Sequence, residues 1–373
     1  MAEPLDPRQV RAAQVVLACD ELDPTLQFFT RLGFRVDAIF PADSPAVAVL
    51  SGHGLTIRLQ PLADGPAGVV RLLADDPALL AAGTTELRAP NGTVVQVVAA
   101  DPALVLPPLD SSFVVDRLAD DATFGAGRAG MQYRELIPGR QGGRFIGSHI
   151  RIPEAGPVPD YVHFHKVRFQ MIYCVSGWVR LVYEDQGEPF VLRAGDCVLQ
   201  PPQIRHRVLE ASEGLEVVEL GCPAEHETLA DHDMALPTDR FDPDRDFGGQ
   251  RFVRHVAAEA TWGPWRHDGF ECRDIGFGTA TSGLAGARVV RPVGRTDRTD
   301  HIRHHGELMF GFVLAGSAAL EVTGYDPEPV GPGDSFVVPA DTTCAIGACT
   351  PDFELLDVTL PDDIALTRVP LTR

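Results

Sequence analysis

The sequence predicts a mainly β protein: two tandem barrels over 129–238 and 239–373, preceded by a small α+β domain of βαβββ type over 1–105 and a linker over 106–128. Three observations lead there. Thirty-six glycines and 31 prolines punctuate short Val-, Leu- and Ile-rich runs, which is the pattern of strands and turns. One stretch of supersecondary design recurs at a nearly constant offset. The first hundred residues follow another rhythm, in which short helical patterns interrupt the strands.

From the amino terminus, residues 12–19 read as a strand and 24–31 as a short helix ending at Leu32-Gly33-Phe34. Residues 35–40, 46–50 and 55–60 read as three more strands. A shorter echo follows at 69–73, 77–81, 85–88 and 92–99, the last after a Pro90-Asn91-Gly92 turn. The element order and the Leu-Gly-Phe helix exit resemble the vicinal oxygen chelate fold of glyoxalase-like proteins. In that family the metal ligands sit on the first and last strands. Here those strands offer Val15, Leu17, Ile57, Leu59 and Gln60, with no His or Glu pair, so the domain is expected to bind no metal.

The repeat begins further on. Tyr133-Arg134-Glu135-Leu136 runs to Pro153, and Cys272-Arg273-Asp274-Ile275 runs to Pro292, two matching stretches of 21 residues set 139 apart. Gly177 and Gly316 keep the offset of 139, while Gly195-Asp196 and Gly333-Asp334, like Pro201 and Pro339, are 138 apart, so one loop is a residue shorter. Gly177 separates two strand-like runs, 170–175 and 178–183, as a hairpin turn would. An all-β unit of about 100 residues must bury its sheet faces against each other, which gives a sandwich or barrel.

The first copy carries the chemistry. His163 and His165 are two residues apart, so on a strand both imidazoles point to one face. Gln170 follows on the next strand, and His206 lies beyond the Gly195-Asp196 turn and Pro201-Pro202. Three imidazoles and an amide oxygen from three strands would surround one divalent cation.

These residues resemble the cupin superfamily, whose first motif is G-x5-H-x-H-x(3,4)-E-x6-G and whose second is G-x5-P-x-G-x2-H. The first is matched by His163-Phe164-His165, four residues, Gln170, six residues and Gly177; the second by Gly195, Pro201 and His206. The resemblance implies two jelly-roll barrels and a metal held by His163, His165, Gln170 and His206. Two departures stand out: Gln170 replaces the usual glutamate, so no ligand is a carboxylate, and Gln203 replaces a turn glycine. Fe(II) is the favoured metal, with Zn(II), Ni(II), Co(II), Mn(II) or Cu(II) as the other candidates.

In the second copy the ligand positions become Ile302, His304, Met309 and Cys344, so the site is expected to be degenerate. His304 and His305 point to opposite faces of a strand, which separates the local cluster with His301. A soft Cu(I) site at His304, Met309 and Cys344 is the alternative to a packed barrel.

Around the first-copy ligands, Tyr161, Arg168, Ile172, Cys174, Val208 and Glu210 are the candidate pocket residues. Arg168 reads equally as a rim charge, and Cys174 as a small buried apolar residue with no base beside it. Glu210 shares strand parity with His206 and is a candidate base or an edge charge. The net charge of −20 excludes nucleic acid and anionic membrane as partners, leaving a small-molecule substrate. A homo-oligomer is compatible with the composition. Seven scattered cysteines without a C-x-x-C pair, no secretory signal and no long apolar run point to a cytoplasmic protein. The expected function is O2-dependent oxidation of a small oxygenated molecule. The alternatives are metal-dependent isomerisation or cyclisation, or a sensor that binds without turnover.

Overall fold

The computed structural model describes residues 10–370 except 20–21, 32–33, 53, 62–68, 82–84, 89–93, 119–122 and 295–297. It divides into two compact units. The first holds residues up to Val105 together with Tyr161–Lys166 and His226–Met234, and the second holds the remainder. No helix among the described residues is long and apolar enough to cross a membrane.

In the first unit the expected order is realised: strand Val10–Ala18, helix Leu22–Arg31, then strands Arg35–Phe40, Val47–Gly52 and Leu55–Gln60. The echo follows as Val69–Ala74, Pro77–Ala81, Glu86–Arg88 and Val94–Ala99, while the Pro90-Asn91-Gly92 turn lies outside the described residues. Val10–Ala18 runs parallel to Leu55–Gln60 and antiparallel to Val69–Ala74. The helix places Leu22, Leu26 and Phe29 on one face, at spacings of four and three, over a core of Cys19, Ala48, Leu50, Ile57 and Leu59. Ile57 and Leu59 therefore serve as core. At the other edge, Arg35–Phe40 pairs with Thr228–Ala230, which pairs in turn with His163–His165.

The second unit contains the repeat. One seven-stranded sheet runs Val253–His255, Cys197–Leu199, Phe169–Ser176, Leu215–Cys222, Ile146–Ile152, Gln132–Glu135, Gly125–Ala126. The other runs Val114–Asp116, Ser335–Val337, Leu308–Ala315, Glu354–Leu360, Gly286–Pro292, Phe270–Asp274, Gly263–Pro264. Each sheet borrows its edge strand. Val114–Asp116, ahead of the first barrel, pairs with Ser335–Val337 of the second, and Val253–His255, ahead of the second, pairs with Cys197–Leu199 of the first. These exchanged strands are themselves 139 residues apart. The stretch 106–128, read from sequence as a linker, thus supplies a strand to the second barrel.

Strand alternation explains why these strands are apolar on both faces. Phe169, Met171 and Tyr173 point into a core shared with Leu308, Phe310 and Phe312, and Phe169 meets Phe277 edge-on at 6.2 Å. Cys174 points the other way, into the first barrel with Leu215 and Val217. Each fully buried Phe or Leu in the shared core contributes about 1.5–3 kcal/mol. An ion pair joins equivalent positions of the two copies: Arg168 reaches Glu307, 139 residues away, at 2.8 Å.

Candidate metal centre

His163, His165 and His206 are all buried, and one nitrogen from each lies within 4.8 Å of the others. Among the described residues this is the one cluster of three or more His, Cys, Asp or Glu side chains with such spacing. The strand His163–His165 presents its two imidazoles as the two-residue period requires. His206 opens the strand His206–Ala211, after the Pro201-Pro202 turn. Gln203 in that turn adopts φ +63°, the left-handed conformation its missing glycine would take, so the loop keeps its shape despite the substitution.

Backbone groups orient the rings. The His163 Nδ1–H donates to the Tyr161 carbonyl at 2.8 Å, and the His206 Nδ1–H donates to the Ile204 carbonyl at 3.0 Å. A carbonyl only accepts, so both rings carry a proton on Nδ1. His165 Nδ1 meets the Thr228 hydroxyl at 3.2 Å. Burial pushes the His206 imidazolium down to about 4, so the ring is neutral near pH 7. Three imidazoles with backbone or hydroxyl partners on Nδ1 are the arrangement a divalent transition metal requires, and the donor set fits one.

Gln170 is buried, and its Nε2 donates to Glu219 Oε1 at 2.6 Å. A carboxylate only accepts, which turns Gln170 Oε1 away from Glu219. That oxygen is 3.4 Å from Gln200 Nε2, which also lies 3.1 Å from His206 Nε2. Gln200 Oε1 accepts the Tyr183 hydroxyl at 3.1 Å, and the Tyr183 ring stacks on His206 at 5.4 Å. Burial raises the Tyr183 phenol well above its usual range, so it stays a donor.

The remaining pocket candidates are placed as follows. Tyr161 packs edge-on against His163 at 5.9 Å. Ile172 and Val208 pack against the first-barrel core. Cys174 is buried against the Ser176 and Gly177 carbonyls, and burial pushes its thiol up to about 12, so it is an inert core residue. Arg168 is committed to Glu307 of the second copy. Glu210 leaves the inward face for a physical reason. The ladder to Trp178–Tyr183 shifts register at Leu209, and this bulge reverses the alternation. Glu210 then pairs with Arg180 at 3.2 Å, its side chain 38% exposed.

Glu219, Gln200 and Tyr183 were missed from the sequence. A legible signal existed for Glu219: it interrupts the apolar strand Leu215–Cys222 at the inward parity of Leu215 and Val217.

The counterpart positions in the second barrel are filled differently. Ile302, Met309 and Cys344 belong to its apolar core. His304 donates from Nε2 to the Val338 carbonyl at 2.8 Å and accepts the Gly306 N–H on Nδ1 at 3.2 Å, so both nitrogens are engaged by backbone. A small cavity of about 20 Å³ remains, lined in part by Trp265, His267, Met309 and Cys344, with room for about one water.

The chain matches the cupin domain family over residues 149–220 and again over 287–357. No curated protein matches it by sequence. Among solved structures it is similar to salicylate 1,2-dioxygenase from Pseudaminobacter salicylatoxidans, with 16% identity and a TM-score of 0.52, covering 71% of this chain and 91% of that one. It is similar to the Ylba protein of E. coli, with 14% identity, a TM-score of 0.50, and coverage of 72% and 97%. It is also similar to a variant of Bacillus subtilis oxalate decarboxylase, with 14% identity, a TM-score of 0.50, and coverage of 73% and 82%. At such identities the likeness is one of fold, and with the doubled family match it leads to a plain conclusion: the chain carries two tandem cupin domains, a bicupin.

Proposed function

We propose that this chain is a mononuclear metalloenzyme acting on a small oxygenated organic molecule, most readily as an O2-dependent dioxygenase. The observation that carries the reading is the convergence of one ring nitrogen each from His163, His165 and His206. Gln170 Oε1 would complete the set as fourth ligand. Fe(II) bound there would supply dioxygen activation. The chain's own residues hold and orient: the carbonyls of Tyr161 and Ile204 fix two rings, and Tyr183 packs over His206. Ile172, Val198 and Val208 provide apolar walls that exclude water from the substrate. The similar fold of a salicylate 1,2-dioxygenase supports the reading.

A second reading, a metal-dependent isomerase or cyclase, is favoured by the Glu219 carboxylate beside Gln170, since such chemistry needs an internal base. The likeness of residues 1–105 to the vicinal oxygen chelate fold is supported by the βαβββ order and the parallel pairing of its first and fourth strands.

Oxygen consumption by the Fe(II)-loaded protein with 1,3-diketones, catechols and 2-hydroxy acids tests the function. Turnover should require O2 and vanish in the His163→Ala/His206→Ala double variant, together with its metal content. Equal turnover under anaerobiosis with Zn(II) would leave the isomerase or cyclase standing instead.

A further inference from the structure

The ligand set is neutral, yet a carboxylate lies one strand away. Glu219 stands directly opposite Ile172 in the ladder between Phe169–Ser176 and Leu215–Cys222. Opposed residues share a face, so Glu219 is on the inward face of Gln170 and Ile172. Its 2.6 Å bond to Gln170 Nε2 leaves the amide oxygen for Gln200 Nε2, 3.4 Å away and itself 3.1 Å from His206 Nε2. Without the carboxylate the amide is free to turn its NH2 group inward, where a donor would repel a cation.

The repeat supports a shared purpose for this position. Asp357 stands opposite Gly311 in the second barrel, the ladder position equivalent to Glu219 opposite Ile172. Asp357 is buried and binds the Arg266 guanidinium through two bonds of 2.6 and 2.7 Å. In the second barrel, then, the inward carboxylate serves a cation that the chain supplies itself.

We propose that Glu219 is the positioning residue of the metal centre. It holds the Gln170 carbonyl oxygen toward the histidines and supplies, from the neighbouring strand, the negative charge that position 170 lacks. The inference rests on the metal-centre reading above. It makes the first barrel a transposed version of a three-histidine, one-carboxylate site, with the charge outside the ligand shell.

The test uses the full chain stripped of metal, titrated with Zn(II) against a chromogenic chelator and with Co(II) for its visible spectrum. Glu219→Gln should weaken Zn(II) binding about 10- to 100-fold and alter the Co(II) spectrum, as loss of an outer carboxylate partner does. The charge swap Gln170→Glu/Glu219→Gln should restore affinity to within about threefold of the wild type, because the carboxylate is returned to the ligand shell. Glu219→Asp, which keeps the charge but shortens the reach, should fall between and carries the test should Glu219→Gln fail to fold. Wild-type affinity and spectrum in both Glu219 variants would overturn the proposal, and so would a double variant as weak as Glu219→Gln alone. A wild type that takes up no Zn(II) or Co(II) would overturn the metal-centre reading itself, and this proposal with it.

Discussion

The two barrels are built from one strand plan and filled in opposite ways. At the ladder position where the first barrel has Glu219 bonded to Gln170, the second has Asp357 clasped by Arg266. Where the first presents His163 and His206, the second has Ile302 and Cys344 in an apolar core. Both have an inward carboxylate with a designated positive or proton-donating partner. The difference teaches that a jelly-roll interior holds an inward acid, half-buried at Glu219 and buried at Asp357, where something answers its charge. An amide donor and an internal guanidinium are two answers to the same electrostatic problem.

The largest effect should come from removing the internal cation. Arg266→Met leaves Asp357 buried and unanswered, and we expect a loss of about 3–5 kcal/mol in urea unfolding. The double variant Arg266→Met/Asp357→Leu should recover most of that, since apolar residues of similar volume fit such a core. A single variant as stable as the wild type would break the comparison.

Acid should reach the second barrel through His267. Burial, aided by Arg266, pushes its imidazolium from 6.5 down to about 4, against the opposing pull of Asp357. The unfolded chain therefore takes up the proton first. The stability held by the neutral ring is complete above pH 6.5 and drains away as pH falls toward 4, a change of about 3 kcal/mol. Unfolding curves at pH 7, 5.5 and 4 should show the wild type losing ground to His267→Gln across that window. A constant difference between the two proteins would contradict the buried, neutral ring.

The smallest effect sharpens the comparison at the turns. Gln203 and Asp341 occupy equivalent positions 138 residues apart, and both are left-handed, at φ +63° and +61°. Asp tolerates that conformation better than Gln. Gln203→Gly should raise stability by about 0.5 kcal/mol, and Asp341→Gly should change it less, as read from paired denaturation midpoints. A larger gain at Asp341 would reverse this account of the two loops.

Much of this molecule was readable before any contact was known. The offset between Tyr133 and Cys272 announced two copies of one unit, and the spacing of His163 and His165 announced a shared face. The order of elements up to Ala99 was equally legible, because hydrophobic period and glycine or proline punctuation are local properties. Glu210 shows where such reading stops. Parity counting puts it beside His206, but one extra residue at Leu209 turns it to solvent, and a bulge is a property of the pairing, not of the strand.

By itself, then, the sequence determined the double β architecture and the imidazoles that converge, since strand alternation and turn chemistry act over a few residues. Only the tertiary structure decided that Val114–Asp116 and Val253–His255 cross to the opposite barrels. Only it decided that Arg168 answers Glu307, that Arg266 answers Asp357, and that Gln170 is turned by Glu219. Each of these joins residues from about 50 to 220 positions apart. Their partners are selected by which buried charge or open sheet edge must be satisfied once the barrels close, and that requirement exists only in the folded chain.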